Sequence, residues 1–223
     1  MKRRTQERNS TKALTLLVQQ ACLVAKDSAA NLHDYIENSS KMALLAVKDC
    51  EKELDRMERQ VDQQITSAIT DVSETEARQL LACLKFIIDL ERIGDLTWSA
   101  AQRLQALMTR LAADDTRDLV AMTQVLQAVL DRVYQGFVSR DLEAATWVLQ
   151  QDSQMDQTYR ALFNRHLQGH DRRKREYSTN LLLMAQALER AGDHAKNLGE
   201  ELFHLVEGRS LRHERKKSQT AAR

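Results

Sequence analysis

LERIGD, Leu90 to Asp95, returns as LERAGD, Leu188 to Asp193, at an offset of 98 in a chain of 223 residues. A six-residue string that repeats with one change marks an internal duplication, so the chain reads as two copies of one module. Each copy carries a Glu and an Asp four apart with a glycine between them: Glu91 and Asp95 in the first, Glu189 and Asp193 in the second. Residues four apart share one face of an α-helix, so each copy presents a carboxylate pair.

Composition around the repeat sets the fold class. There is no proline, and there are only six glycines and 4% aromatic residues. Leu, Ala, Gln, Glu, Arg and Lys dominate, all strong helix formers, so the chain is expected to be all-α. Cys83, Phe86, Leu90, Ile93, Thr97, Ala100, Leu104, Leu107 and Leu111 alternate spacings of three and four, as a bundle seam does. Leu181, Met184, Leu188, Ala191, Ala195, Leu198, Leu202 and Leu205 follow the same rule. Helix ends are marked by caps and glycines. Asn38-Ser39-Ser40 divides the first helix from the second, and Ser73 with Glu76 makes a capping box for the third. Asp114-Asp115-Thr116 divides the halves, Ser139 to Asp141 and then Gly169 with Asp171 break the second half, and Gly208 ends the last helix.

The expected architecture is therefore two tandem antiparallel three-helix bundles, with long, spectrin-repeat-like helices of roughly thirty residues and about 45 Å. Residues 1–113 make the first repeat with its basic N-terminal tail, 114–209 the second, and 210–223 a basic disordered tail.

Lys and Arg number 33 against 32 Asp and Glu, a net charge of +1, so the body has no field that would recruit nucleic acid. Positive charge gathers at the ends, in Lys2, Arg3, Arg4 and Arg8, and in Arg212, Arg215, Lys216, Lys217 and Arg223. These read as solvated tails, since no apolar face accompanies them to make a lipid-binding helix. Cys22, Cys50 and Cys83 are odd in number and lack CxxC spacing, so they read as reduced core residues. No apolar run reaches the eighteen or so residues of a membrane span, and no signal-peptide stretch follows the basic start. A cytoplasmic protein is expected.

Turning 100° per residue from Leu90 places Glu91 and Asp95 away from the seam, and Glu189 and Asp193 likewise. Acids on an outer face ordinarily do no more than stay hydrated. The preceding helix of each half changes that reading with a second pair: Glu51 and Asp55 beside the seam Val47, Cys50, Leu54, Met57 and Val61, then Asp152 and Asp156 in the other half. If the second and third helices are antiparallel neighbours, each half gathers four carboxylates, which repel unless protons or a cation sit among them.

Gly94 and Gly192 each cost roughly 1 kcal/mol relative to alanine in mid-helix, which points to a close approach by a neighbouring helix or by a ligand. Arg92 and Arg190 read as partners for nearby acids. Oxygen donors without thiols suit magnesium, manganese, calcium or iron better than structural zinc. His194 and Asn197 follow the second motif as possible further donors, where the first has Leu96 and Ser99, so the second site is expected to bind better. Glu58 and Asp62 extend the first acidic line, where the second half has Tyr159 and Phe163.

Other constellations carry less. Glu201 and His204 form one ExxH where a di-iron bundle needs two, His166 and His170 flank the helix end at Gly169, and Trp98 and Trp147 read as packing residues. Nothing matches a phosphate loop, a dinucleotide fingerprint, a nucleophile elbow or a kinase signature.

ERIGD and ERAGDHAKN, each preceded by an acidic-xxx-Asp pair on the previous helix, resemble the PhoU family of phosphate-signalling regulators over nearly the whole chain. The resemblance implies one metal cluster at Glu51, Asp55, Glu91 and Asp95 and another at Asp152, Asp156, Glu189 and Asp193. The metals it implies are multinuclear iron or other divalent ions, magnesium and manganese among them. It implies a non-enzymatic regulator that restrains phosphate uptake and mutes phosphate-starvation signalling by contacting a phosphate transporter component, a sensor histidine kinase, or both. Any membrane contact would then run through a partner, and a homodimer is compatible with it. Leu96 and Ser99 depart from the His and Asn more usual after the motif, which sets the first site apart. Two further readings stand beside this one: a carboxylate-bridged metal oxidase or metal store, and an accessory protein of a low-affinity or sodium-coupled phosphate transporter. A plain helical scaffold is the third.

Overall fold

Side-chain oxygens that can accept the free N–H groups of a first turn set where several helices begin. A computed structural model describes residues 2–70, 72–107, 109–167 and 172–209, with the side chains of 2–9, 152 and 172–174 outside that description. The chain forms α1 (Lys2–Asn38), α2 (Lys41–Ala68), α3 (Glu74–Ala106), α4 (Ala113–Ser139), α5 (Leu142–Gln150), α6 (Asp152–His166) and α7 (Arg172–Glu207), with no strand among the described residues. Ser40 accepts the Ala43 N–H at 3.2 Å to open α2. Ser73 accepts from the Glu76 N–H at 3.3 Å while Glu76 accepts from the Ser73 N–H at 3.1 Å, completing the expected capping box of α3. Gly208, at φ 73°, follows the end of α7 in the left-handed region that glycine enters without strain.

The division between the halves differs from expectation. Asp114 and Asp115 lie inside the first turn of α4, so the connection is 107–112. Carboxylates there are favoured by the positive end of the helix dipole, which replaces the missing side-chain cap at Ala112. The expected break at Gly169 and Asp171, His170 and the tail 210–223 lie outside the described residues.

The second half also carries a break that the caps did not signal. α5 and α6 together occupy the place of one long middle helix, interrupted at Gln151. The Gln151 N–H bonds the Val148 carbonyl at 3.2 Å, a tightened three-residue turn, and the Gln151 side-chain amide takes the Trp147 carbonyl at 3.4 Å. A side chain inserted into the backbone ladder is a recognised cause of a kink.

Both seams are buried as expected, from Cys83 to Ala100 in α3 and from Leu181 to Leu202 in α7, and Val47, Leu54, Met57 and Val61 close α2 over the first. Trp98 and Trp147 pack partly buried against this core. The two bundles are fused: α3 packs along α7, α1 packs along α4, and one apolar core runs through both repeats. Polar pins cross the junction, with Lys26 to Asp131 at 2.8 Å and Lys85 to Glu201 at 2.9 Å. No helix among the described residues is long and apolar enough to cross a membrane.

Candidate metal centre

α2 and α3 meet where glycine removes a side chain. A Cβ on Gly94 would stand 2.6 Å from Leu54 Cδ1 and 3.7 Å from the Glu51 Cα, so the α2 backbone approaches α3 between Glu91 and Asp95. In the second repeat a Cβ on Gly192 would stand 3.0 Å from Met155 Cε, next to Asp156. Both mid-helix glycines thus admit a neighbouring helix, the first of the two reasons considered for them.

That approach brings the acids of α2 against those of α3 in antiparallel register. Burial raises the Glu51 carboxyl above its ordinary range, with Asp95 and Asp55 adding repulsion. Burial likewise raises Glu58, reinforced by Asp62, Asp55 and Asp95 and opposed by Arg92. Glu91 is the most perturbed of the cluster: burial, then Asp95, Glu58 and Asp55, push it up to about 7 against the pull of Arg92. All six acids expected in the first half, Glu51, Asp55, Glu58, Asp62, Glu91 and Asp95, therefore belong to one coupled patch.

Glu91 corrects the expectation of a wet outer face. Its side chain is only 12% exposed, and its buried Oε2 accepts no hydrogen bond. The nearest cation is Arg92 Nε at 3.5 Å, too far for one. α3 has neighbours on several sides, α1, α2 and α7, so turning away from one seam leads into another groove. An orphaned buried carboxylate oxygen amid like charges is the donor chemistry that a hard cation completes.

The patch is not a closed cage. Among the described residues no three or more His, Cys, Asp or Glu side chains lie close enough together to hold a metal ion. Arginines take up part of the charge: Arg59 reaches Asp55 at 2.8 Å and Arg92 reaches Asp95 at 3.1 Å.

In the second repeat, Asp156 on α6 and Glu189 and Asp193 on α7 occupy the corresponding places, and Asp156 pairs with Arg160 at 3.8 Å. Asp152 begins α6 immediately after the Gln151 kink, and its side chain lies outside the described residues. His194 and Asn197 point across the repeat junction: His194 Nδ1 lies 2.7 Å from Asp89 Oδ1, and the Asn197 amide donates to the same oxygen at 3.3 Å. Asp89 was not singled out from sequence, although the repeat offset held a signal. Its counterpart in the second copy is Ala187, just as Leu96 and Ser99 are the first-copy counterparts of His194 and Asn197, so the three are not repeated as a set.

Two other histidines are also engaged. Glu201, the buried acid of the ExxH pair, is held by Lys85 at 2.9 Å, which argues against an oxidase centre there. His166 joins Arg165 and Tyr177 around buried Asp115, at 2.9, 2.7 and 2.8 Å, tying the start of α4 to the end of α6 and to α7. Those three hydrogen bonds outweigh the burial that would raise Asp115, and its carboxyl is lowered.

Comparison with known proteins gives a consistent result. The PhoU domain family model matches residues 18–104 and 119–202, one match per repeat. The phosphate-specific transport system accessory protein PhoU homolog of Xylella fastidiosa is 29% identical over 181 residues, covering 80% of this chain and 75% of that protein. Its namesake in Rhizobium meliloti is 30% identical over 169 residues, covering 74% and 71%. Among solved structures, the phosphate transport system regulatory protein PhoU from Streptococcus pneumoniae superposes with a TM-score of 0.81 at 19% identity, over 92% of this chain and 99% of that one. PhoU from Pseudomonas aeruginosa gives 0.70 at 24% identity, over 92% and 97%. At such identities the two structures bear on the fold.

Proposed function

We propose that this chain, which belongs to the PhoU family, regulates phosphate transport and phosphate-starvation signalling in the cytoplasm, as a metal-binding adaptor without chemistry of its own. The observation that carries the regulatory reading is the family match to both repeats, together with relatives named as accessory proteins of phosphate-specific transport. The partners fitting that role are a phosphate transporter component, a sensor histidine kinase, or both.

Glu51, Asp55, Glu91 and Asp95 would hold the first metal, with Glu58 and Asp62 continuing the acidic line, and Asp152, Asp156, Glu189 and Asp193 would hold the second. The unsatisfied Glu91 Oε2 and the mutual repulsion across α2 and α3 support the first assignment. A bound divalent ion, iron, manganese or magnesium, would supply the positive charge that Arg59 and Arg92 bring only in part. The acids repel one another across the contact of α2 with α3 at Gly94, and neutralising them would relieve that repulsion. His194 and Asn197 tie α7 to α3 through Asp89, across the junction between the repeats.

The test is made in cells. Deleting this chain raises phosphate uptake and a phosphate-starvation reporter in phosphate-rich medium, and the wild-type chain restores both. Complementation with Asp55→Asn/Asp95→Asn, at equal protein level, fails to restore them. Unchanged uptake and reporter on deletion would overturn the regulatory reading.

A further inference from the structure

A cleft of about 640 Å³ opens at the end of the molecule remote from the α3 to α4 connection, between the N-terminal part of α1, the start of α3, the α4 to α5 junction and the end of α7. We propose that this cleft binds a dianionic oxyanion of the size and charge of a phosphate group, held by Arg140, Arg78 and Lys12. The proposal is independent of the acidic clusters and of the family match.

Charge carries it first. The titratable side chains lining the cleft are Lys12, Arg78, Arg140 and Glu76, three cations against one carboxylate. Glu76 is already committed to the capping box, where its Oε2 takes both the N–H and the hydroxyl of Ser73. Thr11, Thr15 and Thr75 add hydroxyl groups to the same walls.

Arg140 carries it further. It sits just past the end of α4 in the left-handed region, φ 60° and ψ 42°, a place usually filled by glycine or asparagine. Its guanidinium lies 5.2 Å from the centre of the Phe137 ring and donates to Gln79 Oε1. Both partners are neutral. Burial presses its pKa below the ordinary arginine value, although arginine stays charged. A cation at a helix C-terminus gains from the dipole, and a solvated lysine on the surface would do so equally. The guanidinium is exposed to the cleft and no carboxylate among the described residues pairs with it, so it is open to an anion from solvent.

The surroundings hold the fork in place. The Gln79 amide donates to Thr15 Oγ1 at 3.3 Å and to Cys83 Sγ at 3.6 Å, which leaves its carbonyl oxygen for Arg140. Arg78 is backed by the chain after α7, where a Cβ on Gly208 would stand 2.5 Å from its Nη1, and it already pairs through Nη2 with Glu74, outside the lining, at 3.0 Å, so an anion in the cleft shares it with that carboxylate. Two guanidinium forks and an ammonium match an oxyanion of charge two better than a single carboxylate.

Inorganic phosphate is the probe, measured by calorimetric titration and thermal unfolding of the full chain, with acetate as the monoanionic control. Arg140→Gly removes the fork and relieves the left-handed backbone, so this variant keeps or raises the Tm of ligand-free protein. At ten times the dissociation constant, phosphate raises the wild-type Tm by about 3–6 °C more than that of Arg140→Gly, which carries any general salting effect. Arg78→Gln weakens phosphate binding by about tenfold or more. Equal Tm rises in wild type and Arg140→Gly, no heat with phosphate, or acetate binding as tightly as phosphate would each overturn the proposal.

Discussion

Glu91→Gln, in protein stripped of metal with a chelator, isolates the repulsion at the heart of the acidic patch. Glu91 is 12% exposed and its carboxyl is pushed from 4.5 to about 7. At roughly 1.4 kcal/mol per pH unit that displacement is worth about 3 kcal/mol, and about 2 kcal/mol is expected once the more accessible oxygen is screened by water. The sign follows from proton binding. Between pH 4.5 and 7 the folded protein holds the Glu91 proton that the unfolded chain has released, so stability falls as pH rises through this window. Wild type should therefore lose about 2 kcal/mol more than Glu91→Gln between pH 4.5 and 8, and the variant should be the more stable protein at pH 8. Urea unfolding at four pH values reads this directly. Adding manganese at pH 8 should reverse the order, because only the wild type offers the full carboxylate set. A difference between the two proteins that does not change with pH would refute the electrostatic account of the patch.

Gly94→Ala should destabilise the wild-type background by about 1–2 kcal/mol, since the new methyl meets fully buried Leu54. In a Leu54→Ala background the same change should instead stabilise by up to about 1 kcal/mol through helix propensity, and denaturant unfolding of the four proteins gives the sign reversal. Asp115→Asn should cost about 2–4 kcal/mol at pH 7, because it removes the buried carboxylate that Arg165, His166 and Tyr177 share and leaves Arg165 with Asp118 alone. The Asp115 carboxyl is lowered in the folded state, so its contribution is present above the unfolded value near 4 and fades as pH falls through the folded one; the gap to wild type should narrow in acid. Native thiol labelling should reach Cys50 slowly and spare Cys22 and Cys83, which are fully buried, with Cys22 pushed up to about 12. Prompt native labelling of all three would contradict the packing.

Most of the first repeat was legible because its signals are local. The seam from Cys83 to Ala100, the cap at Ser40 and the box at Ser73 and Glu76 each depend on residues within a few turns of one another. What escaped depends on neighbours distant in sequence. A helical wheel with a single seam sends Glu91 to solvent, whereas α3 is surrounded by α1, α2 and α7 and Glu91 falls into the groove with α2. The engagement of His194 by Asp89 needed the packing of α3 along α7, although the substitution of Ala187 for Asp89 between the copies hinted at it. The kink at Gln151 has no glycine or proline to announce it, only a glutamine amide that competes for the Trp147 carbonyl. Asp114 and Asp115 read as a loop because acids are turn formers, yet next to a helix start the same acids belong to the first turn.

In the proposed function, acids from neighbouring helices share a cation in each repeat. That sharing is tested most directly by metal analysis of protein purified without chelator, beside a variant carrying Asp55→Asn, Asp95→Asn, Asp156→Asn and Asp193→Asn, with helicity measured on both. Wild type should retain iron or manganese and the equally helical variant should retain almost none. Equal metal content in the two proteins would contradict it.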